Sequence, residues 1–166
     1  MDKSKTNYHH GDLRLSLIKA ASEMIQEQDV DVLSMRKLAD HVGVSRTAPY
    51  HHFKDKNELL CAIAETGFVL QDTFVGRLDS NNTESNPNAE NSKSGLQALE
   101  QLVQSYIQFA TTHPAHYELM YGGKIWKQKL ATESLEAASR NSFKHWLNCI
   151  EGLQARQVIH QTESTL

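Results

Sequence analysis

The chain has 166 residues, of which 39% are hydrophobic and 22% charged, and a formal net charge of −3. This is an ordinary globular composition, with enough chain for one substantial core or for a small domain joined to a modest second one. It excludes a collagen-like or disordered chain and a surface coated throughout in positive charge, and no apolar run approaches the roughly 18 residues that a membrane span needs. The N-terminus, Met1-Asp2-Lys3-Ser4-Lys5, leads into polar residues and not into a signal-type apolar stretch, so a cytoplasmic location with no membrane partner is expected. Cys61 and Cys149 are the only cysteines. Both lie in apolar-periodic segments outside any C-x-x-C pair and are expected to be reduced, buried thiols.

Leu13, Leu17, Ile18, Ala21, Met24 and Ile25 recur at helical spacing, with Asp12 in the first turn where a negative charge suits the helix dipole. After the polar stretch Gln26-Glu27-Gln28-Asp29, a second amphipathic pattern of Met35, Leu38, Ala39 and Val42 follows Ser34, a good N-cap. Gly43 stops that helix, and Ser45 is placed to cap a third short helix that opens at about Arg46 and runs to about Phe53. Asp55 and Glu58 have capping-box-like spacing ahead of Leu59, Ile63, Leu70 and Phe74, which predicts a long fourth helix from Lys56 to about Leu78.

Residues 79–94 contain Ala89 as their one apolar residue, too little to offset the entropy of ordering the backbone, and are expected to form a mobile loop. Helical periodicity returns over Leu96, Leu99, Val103, Tyr106, Ile107 and Ala110 and ends at His113-Pro114. Pro114 is suited to open a short segment through Tyr117, Leu119 and Met120 to Gly122-Gly123. Leu135, Phe143, Trp146, Leu147, Ile150 and Leu153 mark a last long helix. With no strand alternation and no internal repeat, the expected fold is all-α. An N-terminal helix-turn-helix unit over 8–68 is joined by a long helix to a helical regulatory domain over 69–166.

The pair of helices from Ser34 to Phe53 carries the sharpest functional signal. A capped helix, a tight glycine turn and a second helix with polar and basic residues on its outward face form a unit that fits a DNA major groove. Between Leu33 and Lys56 the basic residues Arg36, Lys37, Arg46, Lys54 and Lys56 face only Asp40 and Asp55, so an excess of three positive charges is concentrated here within an acidic total.

The run L33-S-M-R-K-L-A-D-H-V-G-V-S-R-T-A-P-Y-H-H-F-K-D-K-N-E-L-L60 resembles the tetracycline-repressor (TetR) family of bacterial regulators. With Tyr8-His9-His10-Gly11-Asp12-Leu13-Arg14 it is most similar to the subgroup whose C-terminal domain is named for a Trp-His-Gly motif. The resemblance covers residues 8 to 70 and beyond them only the layout and the stretch His113-Pro114…Tyr117-Glu118-Leu119-Met120. It implies that Arg46, Thr47 and Ala48 face base edges and that Arg36 reaches a guanine from the preceding helix. Tyr50, His51 and Lys56, with Ser34 and His52, would bind phosphates. It also implies a homodimer on a pseudo-palindromic operator in double-stranded DNA, released by an unknown small-molecule effector.

For the effector, Tyr106, Phe109, Tyr117, Met120, Phe143 and Trp146 are the candidate lining residues, with Tyr106, Tyr117 and Trp146 ranked first, although such side chains are more often core than pocket. The chain reaches Leu166 without the Trp-His-Gly motif, since Trp146 is followed by Leu147. Either the chain is shortened at its C-terminus or dimerisation uses the stripe from about Leu135 to Ile159, and a weaker or altered dimer is expected.

Two other functions compete: a helical adaptor that docks a partner protein on residues 135–159, and a metal- or thiol-based sensor. His51-His52 and His9-His10 are adjacent pairs that diverge by about 100° on a helix, and His113 with His116 is interrupted by Pro114 and lacks a third ligand. No Ser-His-Asp order, phosphate loop or H-E-x-x-H pattern occurs, so neither an enzyme nor a cofactor is indicated.

Overall fold

A computed structural model describes residues 13–82 and 91–155. Tyr8 to Asp12, the centre of the expected loop (83–90) and Ile159 lie outside the described residues. Among those described there is no strand: helices α1 (Leu13–Glu27), α2 (Met35–Val42), α3 (Lys56–Asn82), α4 (Asn91–Thr112), α5 (Pro114–Tyr121), α6 (Gly123–Trp126) and α7 (Glu133–Ala155) are joined by short connections, with a 3-10 turn at Ala48–His51 between α2 and α3.

Local chemistry accounts for most of these bounds. Ser34 caps α2, its Oγ accepting from the Lys37 N–H at 3.2 Å, and Gly43 ends it in the left-handed conformation (φ 77°) with its N–H donating to the Ala39 carbonyl. At the start of α3, Asp55 Oδ1 accepts from the Glu58 N–H at 2.9 Å while Glu58 Oε2 accepts from the Lys54 N–H at 2.5 Å. The reciprocal arrangement expected from the Asp55 and Glu58 spacing therefore forms, reaching one residue further back than the usual box. Pro114 occupies the first position of α5, where its missing N–H costs nothing.

Helix α3 is the axis of the molecule. Leu59, Leu60, Cys61, Ala62, Ile63, Ala64 and Phe68 are all buried, a pattern that fits no single face and requires neighbours on every side. Helices α1, α4, α5, α6 and α7 supply them. One core runs from Leu17, Ala21, Leu38 and Phe53 in the N-terminal unit through Ile63 and Phe68 to Phe109, Leu119, Met120, Ile125 and Leu135. A smaller cluster of Leu102 and Leu153, with Leu99, Trp146 and Cys149 against it, closes the far end between α4 and α7.

Four expectations are corrected. The third helix is a 3-10 turn of four residues, shorter than Arg46 to Phe53. Helix α3 continues to Asn82 and α4 begins at Asn91, so both ends of the 79–94 segment are helical. The short helix α6 begins at Gly123, where a simple stop was expected, because Gly122 takes an extended conformation that redirects the chain into a new turn. Cys149 is only half-buried, whereas Cys61 is fully buried, its Sγ–H donating to the Leu130 carbonyl at 3.4 Å and its thiol pushed up by burial.

At Gly67, α3 and α5 approach closely. A Cβ at that position would stand 2.5 Å from Met120 Sδ and 3.0 Å from His116 Cβ. Gly67→Ala is expected to overpack this contact and cost about 1–3 kcal/mol of stability. Urea unfolding monitored by circular dichroism measures it, and an unchanged midpoint would show that α5 has room to retreat.

Candidate nucleic-acid interface

The 3-10 geometry of the turn after α2 follows from Pro49. Without an N–H, proline cannot donate to the Ser45 carbonyl as a continuing α-helix would require. The bonds that form are tighter: Ala48 N–H to the Ser45 carbonyl at 2.9 Å, Tyr50 N–H to Thr47 at 3.1 Å and His52 N–H to Pro49 at 3.1 Å. Ser45 does not cap this turn. Its hydroxyl meets that of Thr47 at 3.1 Å, and Thr47 occupies the N-cap position with no side-chain cap bond.

The turn has two unlike sides. Pro49 and Phe53 face the core, Phe53 at 1% exposure, with the Arg14 guanidinium 5.2 Å above its ring centroid. Arg46, Thr47, Tyr50 and His51 face solvent, and Ala48 and His52 are half-buried at the edge. Tyr50 is 56% exposed, so its ring and not only its hydroxyl is presented. Arg36 is exposed on α2. The outward surface therefore gathers Arg36, Arg46, Thr47, Tyr50 and His51.

Three of the sequence candidates have other partners. Ser34 spends its oxygen on the α2 cap. Arg46 leans on Asp40, Nε to Oδ1 3.6 Å, in a pair whose side chains are both more than half exposed, so it is held weakly and is available to a competing acceptor. Lys56 is turned toward the α1–α2 connection, its Nζ donating to the Val30 carbonyl at 2.7 Å and reaching that of Asp31 at 3.5 Å. Burial first, and then the Lys124 ammonium, lower its pKa. The same connection is gripped from α6, where the Lys124 ammonium pairs with the Asp31 carboxylate and holds it below the usual carboxylate range. Sequence reasoning missed Asp31 and Lys124, which stand 93 positions apart in segments with no shared pattern.

The effector candidates separate into groups. Tyr106 and Tyr117 share a hydroxyl–hydroxyl bond of 2.7 Å, Trp146 meets the Tyr106 ring edge-on at 5.6 Å, and Tyr121, absent from the sequence candidates, continues the series at 5.0 Å from Tyr117. Burial, followed by the bond from Tyr117, raises the Tyr106 pKa. The indole Nε1 of Trp146 is buried without a hydrogen-bond partner, as is Nε2 of Gln71. Phe109 and Met120 are core side chains at 0% and 1% exposure. Phe143 does not join the cluster: it is 64% exposed on α7, because the α7 face carrying Ser142 turns inward, its hydroxyl donating to Asp72 Oδ1 at 2.8 Å.

These observations define an all-α helix-turn-helix protein whose second element presents cationic and aromatic side chains from a rigid base. A family model described as "Bacterial regulatory proteins, tetR family" matches residues 17–63, the segment from α1 to the first half of α3. Tetracycline repressor protein class A from transposon 1721 of Escherichia coli is 46% identical over 50 residues, 30% of this chain and 23% of that repressor. The match thus spans about a quarter of the curated relatives' length.

A solved structure of a protein with unknown function from Rhodococcus sp. RHA1 is 30% identical, with 96% of this chain and 76% of that one covered and a TM-score of 0.73. The TetR-family transcriptional regulator PfmR from Thermus thermophilus shares the fold at a TM-score of 0.60, with 16% identity over 89% of this chain and 75% of that one. Residues 17–63 thus match the TetR family, and the solved structures extend the likeness of fold to the rest of the chain.

The N-terminal unit meets the remainder of the chain at His116 on α5, whose Nε2 lies 3.3 Å from the Ser22 hydroxyl of α1. Burial, reinforced by the neighbouring His113, lowers the His116 pKa from the ordinary 6.5 to about 4. Between those values the unfolded chain binds the proton more tightly, so stability present above pH 6.5 is lost as the pH falls toward 4. His116→Gln, which retains a hydrogen-bonding group toward Ser22, is expected to flatten this part of the pH–stability profile. An unaltered slope in thermal melts across the window would remove His116 as its source.

Proposed function

We propose that the protein is a DNA-binding transcriptional regulator, not an enzyme: a repressor that leaves its operator when a small molecule binds the helical C-terminal half. The observation that carries this reading is the outward face of the 3-10 turn, where Arg46, Thr47, Tyr50 and His51 stand in solvent on a base fixed by Pro49 and Phe53. Arg46, Thr47 and Ala48 read base edges, and Arg36 adds a guanine contact from α2. A guanidinium pairs with both O6 and N7 of guanine, a contact that discriminates against other bases by about 1–3 kcal/mol. Tyr50, His51, His52, Ser34 and Lys56 lie along the phosphates. Lys56 also closes the α1–α2 connection, so its removal costs order in the reading unit as well as charge.

A single reading turn covers only half of a palindrome. The functional unit is therefore a homodimer, its two turns spaced about 34 Å apart to enter successive major grooves. Phe143, Leu147 and Ile150, at helical spacing on α7 and all more than a third exposed, are an unpartnered apolar stripe suited to that contact. The effector acts in the helical C-terminal half, along the aromatic series Trp146–Tyr106–Tyr117 that Tyr121 continues. No helix among the described residues is long and apolar enough to cross a membrane, and a cytoplasmic location follows from the operator as partner.

Gel-shift titration with DNA from upstream of the protein's own gene, and with fragments selected from a random pool, tests the reading. Sequence-specific binding in the nanomolar range is expected at physiological salt. Arg46→Ala should relax selectivity at one operator position by about 1–3 kcal/mol, whereas Tyr50→Phe should weaken all sequences alike. Failure to retain any fragment would refute the proposal. Phe143→Glu should shift sedimentation from dimer to monomer at micromolar concentration, and an unaffected dimer would place the contact elsewhere.

A further inference from the structure

Between the end of α5, α6 and the middle of α7 lies an open cleft of about 460 Å³, floored by Met120 and lined by Tyr121, Gly122, Gly123, Trp126, Lys127 and Ser139. Two aromatic walls are fixed from behind. The Tyr121 hydroxyl donates to Oε1 of the buried Gln71 at 2.8 Å, and the Trp126 indole N–H donates to the Met120 carbonyl at 2.6 Å. Tyr121 is nonetheless 49% exposed, so a ring whose orientation is already set is open to a ligand. Rigid aromatic surface of this kind binds flat apolar groups with little ordering cost.

The polar side chains of the cleft are few, and both Lys127 and Ser139 can donate to an anion. Lys127 folds its aliphatic chain across Gly123, where a Cβ would meet its Cδ at 2.6 Å. Among the described residues its ammonium has no ion pair and no carboxylate lines the cleft. Ser139 supplies a hydroxyl from α7. A planar apolar body bearing one carboxylate matches this set: rings against Tyr121 and Trp126, the anion on the Lys127 ammonium with the Ser139 hydroxyl as a second donor. The volume suits one or two fused rings.

The cleft is tied to the reading unit by the helix that forms its wall. Helix α6 carries Gly123 and Trp126 on the cleft, and between them Lys124, whose ammonium pairs with Asp31 in the α1–α2 connection. Lys56 grips the same connection through the Val30 carbonyl. A ligand whose anion draws Lys127 toward it pulls on the end of α6 and displaces Lys124, and with it the connection that leads into α2.

We propose that this cleft is an effector site for a small aromatic carboxylate, and that the Lys124–Asp31 pair transmits its occupancy to the DNA-reading turn. The proposal rests on the operator-release reading above. Its probes are 2-naphthoate and the uncharged 2-naphthamide, titrated calorimetrically into the full chain and its variants, with gel shifts on a selected DNA fragment in parallel. Naphthoate should bind once per chain, at least tenfold more tightly than the amide, and Lys127→Gln should erase that preference while leaving circular dichroism unchanged. Saturating naphthoate should release DNA from the wild type. Lys124→Gln should bind naphthoate as the wild type does but retain the DNA.

Equal binding of acid and amide, an unchanged affinity in Lys127→Gln or no binding at millimolar naphthoate would overturn the site. Undiminished release in Lys124→Gln would overturn the coupling. A protein that binds DNA but ignores naphthoate refutes the cleft and leaves the regulator intact, whereas one that binds naphthoate but no DNA does the reverse.

Discussion

Pro49 and Phe53 anchor one side of a four-residue turn in the core, and that anchoring obliges the other side to face solvent. Phe53 is buried with a guanidinium from α1 above its ring, and Pro49 is buried at the centre of the turn. The turn therefore has little freedom to rotate about its own axis. Its outward residues acquire a fixed direction because the apolar contacts beneath them set the geometry. A reading element needs this kind of base, since a base contact displaced by about an ångström loses much of its discrimination.

The same core extends without interruption into the C-terminal half, which makes the two halves mechanically dependent. Gly67 lets α5 lie directly on α3, His116 of α5 meets Ser22 of α1, and α6 reaches the α1–α2 connection through Lys124. Close-packed interiors transmit displacement because they have no slack to absorb it. A ligand that moves α5 or α6 must also move α1 or the connection ahead of α2. This is the physical requirement for a change at one end to alter the placement of side chains at the other, and these contacts meet it.

Much of this was legible in the residues. Ser34, Gly43, Asp55 with Glu58, and Pro114 each act on the adjacent backbone, so their consequences are local and the helix bounds they set agree with the structure. The outward turn was legible because Leu38, Ala39 and Val42 anchor the preceding helix and leave Arg46, Thr47, Tyr50, His51 and His52 to project, although His52 is half-buried at the edge. The contraction of the third helix to a 3-10 turn was foreshadowed by Pro49, although its position inside the first turn concealed how far the missing donor would tighten the backbone.

Features that depend on distant partners were not legible. Lys56 reads as a free cation until the Val30 carbonyl is seen beside it, from a residue 26 positions away in the chain. Phe143 and Trp146 share one apolar pattern on α7, and only the inward bond from Ser142 to Asp72 shows which side of the helix is covered. The doublet Gly122-Gly123 signals a break but not the helix that follows, nor that Lys124 and Trp126 beyond it would join a cleft to the reading unit. The fixed, outward direction of the 3-10 turn in a symmetric pair of chains is tested most directly by hydroxyl-radical footprinting of the protein on a selected DNA fragment. The account predicts two protected backbone patches centred about 10–10.5 base pairs apart and related by a dyad. A single patch, or uniform protection along the fragment, would contradict it.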